Sequence, residues 1–172
     1  MHRPTHPVII DVEASGFGSQ SYPIEVGYVM SEGDRFCSLI TPQDDWTHWS
    51  KDAECVHGIR RESLLKAGRS ATEVALVLNS QLAGMTVYSD GWVVDKPWIT
   101  KLFAASGMAM TFNLSSIEMI MTEEQILIWD QTKIDVINSS KLERHRASND
   151  AWIIQETYRR TLLKTKPVND SI

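Results

Sequence analysis

The stretch Val8-Ile9-Ile10-Asp11-Val12-Glu13-Ala14-Ser15-Gly16-Phe17-Gly18 decides the fold. Val8-Ile9-Ile10 is a β-branched run suited to a buried strand. In a strand, residues i and i+2 point to the same side, so Asp11 and Glu13 present two carboxylates together at its end. One reading ends the strand there and leaves both acids solvated. The other holds them beside the core, where crowded like charges are costly unless a cation neutralises them. Hard oxygen donors of this kind suit magnesium or manganese. The small-residue turn Ala14-Ser15-Gly16-Phe17-Gly18 follows directly. It is either an ordinary glycine turn or a place where a substrate backbone can approach free N–H groups.

Outward from this strand, Ile24 to Met30 and Arg35 to Ile40 read as two more strands. The tight-turn sequence Ser31-Glu32-Gly33-Asp34 makes them a hairpin. An irregular stretch follows. Ala71 to Leu82 has helical spacing, Thr86-Val87-Tyr88 reads as a strand and Lys96 to Ala105 as a helix. Phe112 to Ile117 reads as a strand, and Glu123 to Ile137 and Asn149 to Leu163 as helices. Ala151, Ile154, Tyr158 and Leu162 form the inner stripe of the last helix. Strands first, then strand and helix in alternation, predict an α/β fold with a mixed β-sheet flanked by α-helices.

A chain of 172 residues favours a single domain, residues 1–172, with a core over about 8–163 and a polar tail over 164–172. With 42% hydrophobic and 23% charged residues the composition is globular, not disordered. No apolar run approaches the ~20 residues that span a bilayer, so no membrane partner is expected. The opening segment from Met1 to Pro7 leads into a run broken at once by Asp11, unlike a signal peptide. Cys37 and Cys55 lack a disulfide framework or zinc spacing and read as reduced thiols, which favours a cytoplasmic protein. The net charge of −5 is wrong for a protein that simply coats nucleic acid. It is compatible with an enzyme that recruits its positive charge as metal ions.

Two further constellations carry chemistry. In His145-Arg146-Ala147-Ser148-Asn149-Asp150-Ala151 a histidine precedes an aspartate by five residues at the start of a helix. Asp150 could merely complement the helix dipole. As a catalytic pair, Asp150 completes a metal site and His145 takes a proton from water, a task that suits a group titrating near working pH. In Ser89-Asp90-Gly91-Trp92-Val93-Val94-Asp95-Lys96-Pro97-Trp98, Asp95 is either a helix N-cap or a further metal-site carboxylate.

In this order and spacing the segments resemble the DEDDh family of 3′→5′ exonucleases, the DnaQ-like group with a ribonuclease H-like fold. That family carries a DxE on its first strand, an Asp in a second motif and HxAxxDA in a third. Here these are Asp11-Val12-Glu13, Asp95 and the segment from His145 to Ala151. Ile24-Glu25-Val26-Gly27 resembles the family's second strand, and Val56-His57-Gly58-Ile59 its HGI segment near the substrate's terminal nucleotides. The resemblance runs from about Ile9 to Ile154. Two departures stand out. The second motif usually has an Asn four residues before its Asp, where this chain has Gly91, with Asp90 beside it as a rival carboxylate. Ala14-Ser15-Gly16 replaces the two threonines that often precede the glycine.

The resemblance implies two divalent ions, Mg2+ or Mn2+, held by Asp11, Glu13, Asp95 and Asp150, with His145 as general base. It implies that Ala14, Ser15, Gly16 and His57 meet the substrate, a DNA or RNA with a free 3′ end, and that the product is a nucleoside 5′-monophosphate. Some short members of the family dimerise, so a homodimer is admitted. The rival expectation is a catalytically inactive nucleic-acid-binding or polymerase-associated module. The full set of acids and the histidine argue against it. Trp46 and Trp49 are candidates for base stacking or for the core. Lys141, Arg144 and Arg146 are candidates for phosphate contacts or a solvated loop.

Overall fold

The computed structural model describes residues 6–166; residues 167–172 of the expected tail and 1–5 of the opening segment lie outside them. β1 (Ile9–Ala14), β2 (Pro23–Val29) and β3 (Arg35–Leu39) form an antiparallel meander. β4 (Thr86–Ser89) adds to β1 in parallel and β5 (Asn113–Ser116) adds to β4, giving the order β3-β2-β1-β4-β5. β1 runs through both acids, so the strand does not end at Asp11. Asp11 lies opposite Gly27 and Glu13 opposite Glu25, with a register shift between Glu13 and Ala14.

The sheet separates two apolar cores, because alternate residues of β1 face opposite ways. Ile10 and Val12 pack with Val74 and Leu78 of α3 (Ala71–Leu82) and with Leu102 of α4 (Trp92–Ser106). Ile9 packs on the other face with Ala151, Ile154 and Tyr158 of α7 (Ala147–Lys164). The expected stripe of α7 is therefore present, with Leu162 only partly buried; Ile153, Thr157 and Thr161 widen the buried arc.

Three expectations are corrected. The irregular stretch after β3 contains two short helices, α1 (Lys51–His57) and α2 (Arg61–Ala67). Seven residues carry too little periodicity to read as helix, although the Ser50 N-cap and the left-handed Gly58 bracket α1. The helix expected over 123–137 is two, α5 (Glu123–Leu127) and α6 (Trp129–Ser140), broken at Ile128. A capping box at Thr122 starts α5 and buried Gln125 bonds Thr161 of α7 at 3.2 Å, which commits α5 to a course that α6 does not share. Finally, α4 begins at Trp92 rather than Lys96, with Gly91 as its N-cap, so Asp95 is not the cap and Pro97 lies inside the helix. The Trp92 indole N–H, which donates to the Leu114 carbonyl at 3.1 Å, anchors this early start against β5.

Candidate active site

A cavity of about 600 Å³ opens at the carboxyl ends of the parallel strands β1 and β4, the usual ligand position in open α/β sheets. Five carboxylates line it: Asp11 and Glu13 of β1, Asp95 of α4 and Asp150 of α7, with Asp52 contributed by α1. His145 lines it too.

Each group arrives for a local reason. Asp95 lies in the first turn of α4, buried, and accepts a hydrogen bond from the Ser89 hydroxyl at the end of β4. Asp90 instead pairs with Lys133 of α6 and is not among the lining residues. His145 has φ of 60°, an uncommon conformation for a non-glycine residue. Its own N–H donates to Asp150 Oδ2 at 2.9 Å while Arg144 Nε donates to Oδ1 at 2.7 Å. The loop is bolted to the sheet by fully buried Glu25, which receives Arg146 Nη2 at 2.6 Å and the Ala147 N–H at 2.8 Å. Arg144 and Arg146 are thus engaged within the chain, by Asp150 and Glu25.

Gly27 lets α7 come this close: a Cβ there would lie 2.6 Å from the carbonyl carbon of Ala147 and collide with the Ser148 nitrogen.

The cluster is short of positive charge. Burial raises the Asp11 carboxyl well above its ordinary value, and Asp95, Glu13 and Asp150 push it further. Burial also raises Glu13 to about 7, with Asp150, Glu25 and Asp95 adding and Arg144 opposing. Asp95 rises to about 7, again through burial first, with Asp90 adding while the Ser89 hydroxyl and Lys133 oppose. Among the described residues no side-chain cation pairs with Asp11 or Glu13; the nearby Lys133, Arg144 and Arg146 serve Asp90, Asp150 and Glu25. One atom each of Glu13, His145 and Asp150 lies within 4.8 Å of the others, so these three could ligate one ion.

The opposite wall comes from the turn after β1 and from α1. Ala14 and Gly16 line the cavity, as expected. Ser15 does not: it is fully buried, and its hydroxyl meets Tyr22 N–H and His48 Nδ1, each at 3.1 Å. Its backbone N–H and carbonyl are likewise taken, by Tyr22 and Ser50. The expected substrate contact at Ser15 becomes a supporting role. His57 lines the cavity with Nε2 buried and without a partner among the described residues. Of the two readings of the tryptophans, base stackers or core residues, the packing favours the second. Trp46 stacks on Tyr22 at 5.2 Å, and Trp49 sits edge-on to His57 and bonds Glu54. His48 between them reaches the cavity instead. Phe17, 78% exposed and tilted against Trp98, stands at the mouth. Nothing in the local sequence marks His48 or Phe17, because neither sits in a regular element whose period would aim it.

No protein-family model and no curated protein sequence matches this chain. Solved structures do. The structure of E. coli exonuclease I in complex with a dA16 oligonucleotide matches with a TM-score of 0.66 and 13% identity, over 93% of this chain and 41% of that one. Exonuclease I from Methylocaldum szegediense matches with a TM-score of 0.71 and 12% identity, over 94% of this chain and 41% of that one. The zinc-bound E. coli exonuclease I–ssDNA complex matches at 0.66 and 11%, over 92% and 40%. The chain spans about two fifths of the length of these neighbours. A mixed five-stranded sheet with helices on both faces, superposing along nearly its whole length on exonuclease I, has the ribonuclease H-like α/β fold.

Proposed function

We propose that this protein is a metal-dependent 3′→5′ exonuclease that releases nucleoside 5′-monophosphates from a nucleic acid with a free 3′ end. One observation carries the reading: Asp11, Glu13, Asp95 and Asp150 converge on one cavity beside His145, with too little positive charge to satisfy them. Crowded, buried oxygen donors fit Mg2+ or Mn2+. Asp11, Glu13 and Asp150 would hold one ion; Asp11 and Asp95 would hold a second. When bound, the pair supplies the charge that stabilises the phosphate and the leaving 3′ oxygen.

The chain's own groups do the rest. His145 accepts the proton of the attacking water at an imidazole nitrogen, and its N–H bond to Asp150 keeps the loop in register. The bare backbone at Ala14 and Gly16 lets the terminal sugar lie close to the wall. His57 Nδ1 accepts the Ile59 N–H at 3.0 Å, and burial lowers the ring's pKa. The neutral ring therefore carries its proton on Nε2, a buried donor without a partner among the described residues. Phe17 offers a stacking face to a base at the entrance. The neighbours' complexes with single-stranded oligonucleotides support nucleic acid as the substrate class.

The test is degradation of end-labelled single-stranded DNA, duplex DNA and short RNA in EDTA, then with Mg2+ or Mn2+ restored. Products should shorten stepwise from the 3′ end, only with metal. Undiminished cutting in excess chelator, or internal cuts, would overturn the reading.

A further inference from the structure

His48 is the group on the cavity wall that the mechanism above leaves unused. It is half-buried, and its ring lies over the backbone of Gly16. A Cβ at residue 16 would sit 2.7 Å from His48 Cε1 and 2.8 Å from Ser50 Cβ, and Gly16 has φ of +146°. Glycine is what allows the His48 loop to close against this turn.

The hydrogen bonds behind His48 settle which edge of its ring is a donor. Ser15 Oγ is fully buried and already accepts the Tyr22 N–H at 3.1 Å. A serine hydroxyl has one proton to give, and its remaining partner is His48 Nδ1 at 3.1 Å. Directed at Nδ1, that proton makes Nδ1 the acceptor and leaves the ring's own hydrogen on Nε2. Nε2 is the ring nitrogen not engaged by Ser15, and His48 lines the cavity. His57 is held the same way, through Ile59 N–H at Nδ1. Both imidazoles are thus fixed at Nδ1 from behind, with His57 Nε2 buried.

We infer that His48 recognises the sugar of the 3′-terminal nucleotide, donating Nε2–H to a ribose or deoxyribose hydroxyl oxygen. The inference rests on the exonuclease reading, which draws the phosphate to the acid cluster and seats the terminal sugar against Gly16, the residue under the His48 ring. The base is left to project toward Phe17 at the mouth. The 2′ and 3′ oxygens are adjacent on the sugar and share this chemistry.

The experiment measures kcat and KM in Mg2+ for wild type, His48→Phe and His48→Gln. The oligonucleotides are identical except for the last sugar: ribose, 2′-deoxy, 3′-deoxy or 2′,3′-dideoxy. A single neutral hydrogen bond corresponds to roughly three- to tenfold. His48→Phe should raise KM by about that factor on ends carrying the recognised hydroxyl and leave the dideoxy end unchanged. His48→Gln, which keeps an N–H donor, should recover part of the loss. The 2′-deoxy and 3′-deoxy ends then identify which oxygen is read. Equal effects of His48→Phe on all four ends, or no effect on any, would overturn the inference while leaving the exonuclease reading intact. If His48→Phe fails to fold, the same comparison is made with His48→Gln and with wild type alone, which must itself disfavour the dideoxy end. A wild type that shortens none of the substrates overturns the exonuclease reading, and this inference with it.

Discussion

Asp90 and Asp95 lie five residues apart and meet opposite surroundings. Asp90 has Lys133 as a direct counter-ion, while Asp95 is buried, accepts the Ser89 hydroxyl and feels Lys133 only at longer range. A carboxylate without a cation is the one free to bind a metal. Asp95→Asn is expected to lower cleavage at least a hundredfold, the scale of losing one positioned charge-stabilising group, and Asp90→Asn less than tenfold. Steady-state cleavage by the two variants checks this, and the reverse ranking would move the second motif to Asp90. His145 makes a separate expectation. General-base catalysis is worth ~10²–10⁴-fold, so His145→Ala should reduce turnover by that factor while Mn2+ affinity, read by titration calorimetry, stays within a few-fold. Loss of metal binding in step with turnover would make His145 a ligand instead.

At the scale of elements, the site depends on how α7 meets β2. Gly27 lies opposite Asp11, and its missing Cβ is the space that the start of α7 occupies. The Glu25–Arg146 pair fixes the loop one strand position away. A methyl at residue 27 meets backbone, which cannot step aside as a flexible side chain would. Gly27→Ala is therefore expected to cost about 1–3 kcal/mol, the usual range for overpacking, and to lower activity by shifting Asp150 and His145 away from β1. Urea unfolding and cleavage measured together check this. A variant of wild-type stability would mean that α7 has room to retreat. Element boundaries misread from sequence share one cause. The break at Ile128 and the early start of α4 are set by contacts with α7 and β5, and local propensity does not contain them.

For the whole molecule the acid cluster is a stability cost that a bound cation would relieve. Glu13 and Asp95 titrate near 7 in the folded state, against ordinary values of 4.5 and 3.8. Between about pH 4 and 7 the folded protein keeps protons that the unfolded chain has released. Stability from these groups is therefore fully present below about pH 4 and is lost as pH rises through 7. The metal-free protein should lose melting temperature across that window. Glu13→Gln should flatten the loss and stabilise the metal-free protein at pH 8 by on the order of 1–3 kcal/mol, raising its melting temperature by about 2–12 °C. Added Mn2+ should help wild type more than the variant. Calorimetry in EDTA and in Mn2+ checks both; parallel pH curves for the two proteins would show that the cluster carries no such penalty.

What the sequence determined by itself was the pattern that one element can hold. The i, i+2 acids of β1, the β2–β3 hairpin, the apolar stripe of α7 and the His145–Asp150 spacing are all local, and each follows from backbone period and side-chain type. Only the tertiary structure separated the surroundings of Asp90 and Asp95, because Lys133, the partner of Asp90, lies 43 residues from it in the chain. It likewise turned Ser15 and both tryptophans inward, brought His48 to the cavity, and tied Arg144 and Arg146 to Asp150 and Glu25. Charge pairing and burial are set by distances between segments far apart in sequence, and no periodicity within one segment encodes them.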